Sequence, residues 1–202
     1  MFRFFAALTA FFLATAATAQ DFPALFSVTN VASSDWLNIR AEPSARTEIV
    51  GRFDYNQTGI EVVGLSEDRR WGLVRTEDGI GWSAIRFLRK EREDSWQDGR
   101  QTLTCHGTEP FWNLSLLLPT DRADFDSLAE GRMTFHTDAP NLPFTRHPRT
   151  LAVPFSGPRN GMAVVRQGVC SNGMSDHLYG LEVQVYWRGA PEGLSGCCML
   201  GH

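Results

Sequence analysis

Two stretches of this 202-residue chain alternate apolar and polar residues with a period of two. Trp112, Leu114, Leu116 and Leu118 fall on one face of the first, and Asn113 and Ser115 on the other. In the second, Leu181, Val183, Val185 and Trp187 oppose Glu182, Gln184, Tyr186 and Arg188. Successive side chains of a strand point to opposite sides, so each stretch reads as a half-buried strand and not as a helix. Shorter runs at 132–137, 150–155 and 162–167 continue the theme, with Pro and Gly clusters in the gaps at 139–143 and 156–158. Residues 101–200 are therefore expected to form an antiparallel barrel or sandwich of about six to eight strands. Only 123–130 offers a helix, and a short one.

Residues 24–90 are a second array of short β-rich runs, at 28–31, 37–40, 48–53, 59–65, 71–76 and 80–83. Leu37 and Ile39 share one face, Asn38 and Arg40 the other, and Glu42-Pro43-Ser44 ends the run. Asp78-Gly79 before Ile80 is a hairpin signal, because Gly supplies the positive φ that such turns need. Five or six short strands in about 65 residues can close into a small barrel and lose their exposed edges. The stretch 91–100, rich in charge and without apolar periodicity, reads as a solvated linker or short helical turn. All five His and all four Cys follow residue 90, an independent mark of two modules. The linker is short enough to leave the modules against each other.

The N-terminus carries an address. Arg3 is followed by an apolar run over 4–13 and by Ala17-Thr18-Ala19, the three-part order of a secretory signal peptide over 1–19, with cleavage expected after Ala19. The apolar run is too short for a membrane span of about 20 residues. A periplasmic or secreted protein is expected, peripheral to the membrane at most. Net charge is -4, and -5 once Arg3 is removed. No basic stripe appears, which argues against nucleic acid as a partner.

In the first module the order Leu37-Asn38-Ile39-Arg40, Pro43-Ser44, Gly51, Trp71, Val74, Gly81-Trp82 and Leu88 resembles that of bacterial SH3 domains over the whole of 24–90. The resemblance implies an SH3-like barrel that binds peptidoglycan or an envelope peptide or protein, without catalysis. Ser83 departs from it, standing where an apolar residue is usual. The candidate ligand-binding residues are Trp36, Arg40, Tyr55, Trp71 and Trp82, with Arg69 and Arg70 nearby. Amphipathic aromatic faces suit sugar rings and peptide backbones, and guanidinium groups suit carboxylates. The same tryptophans could instead cap the ends of a small barrel, and Arg40 could hold turn carbonyls. With Val74 inside, Trp71 is expected to lean outward.

The second module carries two signatures. Gly107-Thr108-Glu109-Pro110-Phe111-Trp112 and Cys170-Ser171-Asn172-Gly173-Met174-Ser175-Asp176 together resemble a family of uncharacterised bacterial envelope proteins. Glu109, Trp112, Met174 and Asp176 are the motif residues singled out. His177 stands where the family commonly has Arg, and Asn172 where it commonly has Asp, a lost carboxylate that argues against a bound cation. Four cysteines in an exported chain read as two disulfides, with three possible pairings. Neighbours Cys197 and Cys198 face opposite ways on a strand and should reach different partners. The resemblance implies Cys170–Cys197, which leaves Cys105–Cys198.

No nucleophile elbow, phosphate loop or dinucleotide fingerprint occurs, so no catalytic residue and no cofactor is assigned. Cys105 and His106 are neighbours and would not pair on a strand. The expected function is a non-catalytic periplasmic binding protein. One alternative is a small-molecule or copper or zinc carrier, using Cys105, His106, His177, Met199 and His202. Another is a lysozyme inhibitor or a glycan hydrolase built on Glu109 and Asp176.

Overall fold

The computed structural model describes residues 22–76, 79–92, 94–141, 149–174 and 176–201. The expected signal peptide, Asp78, His147 and His202 lie outside the described residues.

Both modules are antiparallel β structures, and the described residues contain no α-helix. The first holds β1 (Ala24–Val28), β2 (Trp36–Arg40), β3 (Ile49–Asp54), β4 (Ile60–Leu65), β5 (Trp71–Arg75), β6 (Ile80–Ala84) and β7 (Leu88–Lys90). The strands pair in the order β3-β2-β6-β5-β4-β1-β7. Seven strands replace the five or six expected, and the ladder is an open sheet where a closed barrel was expected. Phe53 of β3 and Leu88 of β7 nevertheless share one core with Phe26, Ile39, Val62 and Val74, so the sheet curls round on itself. The run expected at 28–31 ends at Val28, because Asn30 turns the chain with φ +56°.

The second module holds β8 (Thr102–Thr108), β9 (Phe111–Leu117), β10 (Arg122–Ser127), β11 (Gly131–Thr137), β12 (Thr150–Ser156), β13 (Gly161–Cys170), β14 (Tyr179–Trp187) and β15 (Leu194–Leu200). They form a closed eight-stranded barrel in which β15 pairs back onto β8. The stretch 123–130 is therefore not a helix. Ala123, Phe125 and Ser127 of β10 all point inward, and Leu128 is exposed in the turn that follows.

The barrel interior is filled. Trp112, Phe125, Phe135, Phe155 and Trp187 pack ring against ring, with centroids 5.0–6.2 Å apart. Trp96 joins this core from a short 3-10 turn, Trp96–Asp98, at 1% exposure. The linker is thus not simply solvated: its one tryptophan is a core residue of the barrel. Ser95 caps the turn, accepting from the Gln97 N–H, and Asp98 accepts from the Ser95 N–H.

Both disulfides form, as Cys105–Cys198 and Cys170–Cys197. Cys105 and Cys198 lie directly opposite on the ladder that closes the barrel, inside the core. Cys197 faces out and reaches Cys170 at the end of β13. The four sulfurs are all consumed, so none is a thiolate metal ligand.

The two modules touch through β1 and β4. Most of β1 and the first four residues of β4 are buried on both faces, which alternation within one sheet cannot explain. Ala24, Phe26, Val28, Ile60 and Val62 face the sheet's own core. Leu25 instead joins the barrel core, and Pro23 lies against Gly180. Glu61 projects toward the barrel at 5% exposure, paired with Arg75 at 3.1 Å. Arg75 Nη1 also lies 3.0 Å from Met199 Sδ, and its guanidinium sits 5.2 Å from the centre of the Tyr179 ring. Burial pushes the Glu61 carboxyl up to about 7. The Arg75 charge and the Leu200 backbone N–H pull the other way, but Glu61 Oε1 lacks a partner of hydrogen-bond geometry.

Two predictions follow the packing. The closed loops span 93 and 27 residues. Replacing Cys105 and Cys198 together by Ala should cost about 5 kcal/mol in urea unfolding, and replacing Cys170 and Cys197 about 3.5 kcal/mol. Equal costs, or a reversed order, would contradict the assignment of the first bridge to barrel closure. Glu61 has a folded pKa above its unfolded one, so its contribution to stability is full below the unfolded value of 4.5 and is lost as pH rises to about 7. Wild type should lose up to ~1.4 kcal/mol per pH unit in that window relative to Glu61→Gln. Parallel stability curves for the two proteins between pH 4.5 and 7 would show that Glu61 is not desolvated at the interface.

Candidate functional site

The outer face of the curled sheet brings some of the aromatic candidates together and leaves others apart. Val74 is fully buried, so Trp71, three residues away on β5, leans outward and is half-buried. Its cross-strand partner is Ala84 on β6. The small Ala side chain leaves a depression beside the indole. Two adjoining cavities share Trp71, Ala84, Ala45 and Arg86 in their walls. One, of about 440 Å³, runs from Pro43 and Ser44 to Arg69 and Arg70. The other, of about 330 Å³, runs from Asn30 to Trp36, Asn38 and Arg40. Trp71 is thus the one large aromatic side chain that both cavities share.

Three guanidinium groups, Arg69, Arg70 and Arg86, stand on the first cavity, and none of its lining residues is a carboxylate. Arg70 is widely exposed and pairs at 2.7 Å with Asp68. The Ser66 hydroxyl, with the Arg70 N–H and guanidinium, holds Asp68 down at about 2, so this pair stays ionised. Arg69 has φ +57°, which turns the chain out of β4 into the groove rim. Arg86 lies over the Phe87 ring at 4.7 Å.

The remaining candidates divide. Trp36 lines the second cavity and is 46% exposed, with Arg52 stacked 4.3 Å from its ring centre. Arg40 also lines it, but its Nη1 donates to the Thr47 carbonyl oxygen at 2.8 Å, so it holds the loop that carries Pro43 and Ser44. Trp82 pairs with Arg40 and Leu73 across the sheet and lines neither cavity. Tyr55, exposed in the turn after β3, lines neither. Ser83 is fully buried and donates to the Asn38 carbonyl oxygen at 3.2 Å, which accounts for a hydroxyl where an apolar side chain was expected. Arg86 was not among the candidates. It rides on a 3-10 turn, Ile85–Phe87, where strand alternation gives no guide.

In the first second-module signature the ends, Gly107 and Trp112, are buried and the middle, Glu109 to Phe111, is exposed; in the second, Ser171, Gly173, Met174 and Asp176 are exposed. Glu109-Pro110 forms the two-residue turn between Thr108 and Phe111, with a cis peptide bond. Trp112 is buried in the barrel, its ring laid across Gly107 and Gly196. Its Nε1 has no hydrogen-bond partner among the described residues. Phe111 and Met174 are 51% and 65% exposed. The Thr108 hydroxyl donates to the Asn172 carbonyl oxygen at 3.2 Å, and the Asn172 side chain accepts from the Met174 N–H. The two signatures thus meet in space. Asp176 lies against the β5–β6 turn of the first module, where a Cβ on Gly79 would come 3.6 Å from its own.

The chain matches no protein-family model, and comparison with curated proteins and with solved structures finds no match.

The glycine of the first signature yields a test. A Cβ on Gly107 would overlap Trp112 Nε1 and come 2.7 Å from the Ser195 carbonyl oxygen. Gly107→Ala should destabilise the barrel by about 2–3 kcal/mol or more. Adding Trp112→Phe, which removes the ring atoms that clash, should recover part of the loss. A double variant no more stable than Gly107→Ala alone would show that the indole is not what the glycine accommodates.

Proposed function

We propose that the protein is a non-catalytic binding protein of the bacterial cell envelope, and that its first module docks on peptidoglycan or an envelope peptide through the groove at Trp71. The single observation that carries this reading is the placement of a half-exposed indole in the walls of two cavities, with Arg69, Arg70 and Arg86 on the rim. Such a groove offers a flat apolar surface for a sugar ring or peptide backbone, and planar donors for the carboxylates of a peptide stem. The likeness of Leu37-Asn38-Ile39-Arg40 through Leu88 to bacterial SH3 domains supports the same ligand class. The signal-like N-terminus supports export, and two disulfides are in keeping with an oxidising compartment.

The carrier alternative has less in its favour. Its cysteine ligands are consumed in disulfides, and the barrel that would hold a small molecule is filled with aromatic side chains.

Co-sedimentation with purified peptidoglycan tests the proposal. The protein should pellet with the polymer, and Trp71→Ala should weaken apparent affinity about tenfold. Tyr55→Ala, outside the groove, should bind as wild type does. Failure to pellet, or equal binding by the Trp71 variant, refutes it.

A further inference from the structure

A third cavity, of about 370 Å³, lies on the outside of the second module, away from the Trp71 groove. Its floor follows from the barrel's alternation. Leu181, Val183 and Val185 point into the core, so Glu182 and Gln184 point out from β14. Cys198 and Cys105 point in, so Cys197 and Ser195 point out from β15, and His106 and Thr108 from β8. Register sets Glu182 beside Cys197, Cys197 beside His106, and Gln184 beside Ser195.

The wall comes from β13. Its pairing with β14 shifts register between Gln167 and Cys170, a bulge at Gly168-Val169 before the strand rejoins the ladder at Cys170 opposite Tyr179. The Cys170–Cys197 disulfide then ties the strand end to the outer surface of β15. The Thr108–Asn172 hydrogen bond fixes the loop beyond it. The space between tied loop and barrel wall is the cavity. It exists because one strand carries two adjacent cysteines, one bridged inside the barrel and one outside.

The lining is polar and nearly neutral. Ser195, Thr108 and Ser171 bring hydroxyls, Gln184 and Asn172 amides, and His106 an imidazole. Burial, with Arg75 nearby, keeps the His106 pKa below its ordinary value, so the ring is uncharged at neutral pH. Glu182 is the one carboxylate in the lining, and Arg166 is ion-paired with it. An anionic ligand finds no free cation in this lining, and a cationic one meets a carboxylate already neutralised. What remains is a set of uncharged donors and acceptors. Tyr186, outside the lining, is 48% exposed, and its hydroxyl donates to the lining residue Gln184 at Oε1. Hydroxyls and amides around a recess match a sugar, whose hydroxyls both donate and accept. The volume suits roughly one or two sugar rings.

We propose that this cavity binds a neutral oligosaccharide, and that the second module is a binding module in its own right. The proposal does not rest on the Trp71 groove. The test is a titration of the ¹⁵N-labelled full chain with chitotriose, cellotriose and maltotriose, followed by amide shifts. Saturable shifts are expected with at least one sugar, gathered at 168–172, 182–184 and 195–197. Gln184→Ala should weaken that binding about tenfold. Ser195→Trp, which fills the recess from an exposed position, should abolish it, and Trp71→Ala should leave it unchanged. The inference is overturned if none of the three sugars shifts these amides at about 10 mM, or if shifts gather round Trp71 alone. It is equally overturned if Gln184→Ala and Ser195→Trp, with native spectra, bind as wild type does.

Discussion

Closure of the barrel between β15 and β8 is the constraint on which most of this structure depends. A closed antiparallel ladder leaves no edge with unpaired backbone groups, and it has an inside that only one face of each strand can see. Once Cys198 is set opposite Cys105 on the closing pair, every residue of β15 is assigned inside or out. Cys197 must then face outward, where it meets Cys170 at the end of β13. One register choice thereby fixes both disulfides, places Gly196 under the Trp112 ring, and turns Ser195 toward the recess. A slip of one residue would put Cys197 and Ser195 in the core and expose Cys198 and Leu200.

The second organising contact is the face that β1 and β4 present to the barrel. Leu25 joins the barrel's apolar core, but Glu61, its cross-strand partner on β4, brings a carboxylate into the same interface. Arg75 pairs with it, and Tyr179 and Met199 in turn seat the Arg75 guanidinium. His106 stands edge-on to Tyr179 at 4.7 Å. The interface cluster and the outer recess of the barrel are therefore adjoining, linked through one imidazole whose Nε2 is buried without a hydrogen-bond partner among the described residues.

Legibility in the sequence tracked the strength of alternation. The runs beginning at Phe111 and Leu181 could be read directly, because apolar residues occupied every second position and turn residues bounded them. The β10 strand could not, because its inward series is Ala123, Phe125, Ser127, and the buried hydroxyl breaks the apolar pattern while exposed Leu128 imitates a helical one. Trp96 was hidden by its charged neighbours, since a plug at a barrel end obeys no period. At the candidate sites, Trp71 and Trp36 were readable as outward aromatics on strands. The rim residue Arg86 and the recess of the second module were not. The first needs a 3-10 turn and the second a bulge plus a disulfide, and neither leaves a periodic trace.

Charge distinguishes the two recesses and constrains how the first can work. The chain as a whole carries a net charge of -4, so at long range it repels an anionic polymer. At physiological salt that repulsion dies away within about 8 Å. In the proposed binding, Arg69, Arg70 and Arg86 would act only on what is already at the surface, through directed hydrogen bonds and not by steering. Such short-range donors would need a partner that first holds the ligand close, a part the Trp71 indole would play. The neutral recess on the barrel carries no such repulsive or attractive bias. Its selectivity would lie wholly in the geometry of its hydroxyls and amides, and that geometry is set by the outer staple from Cys197 to Cys170.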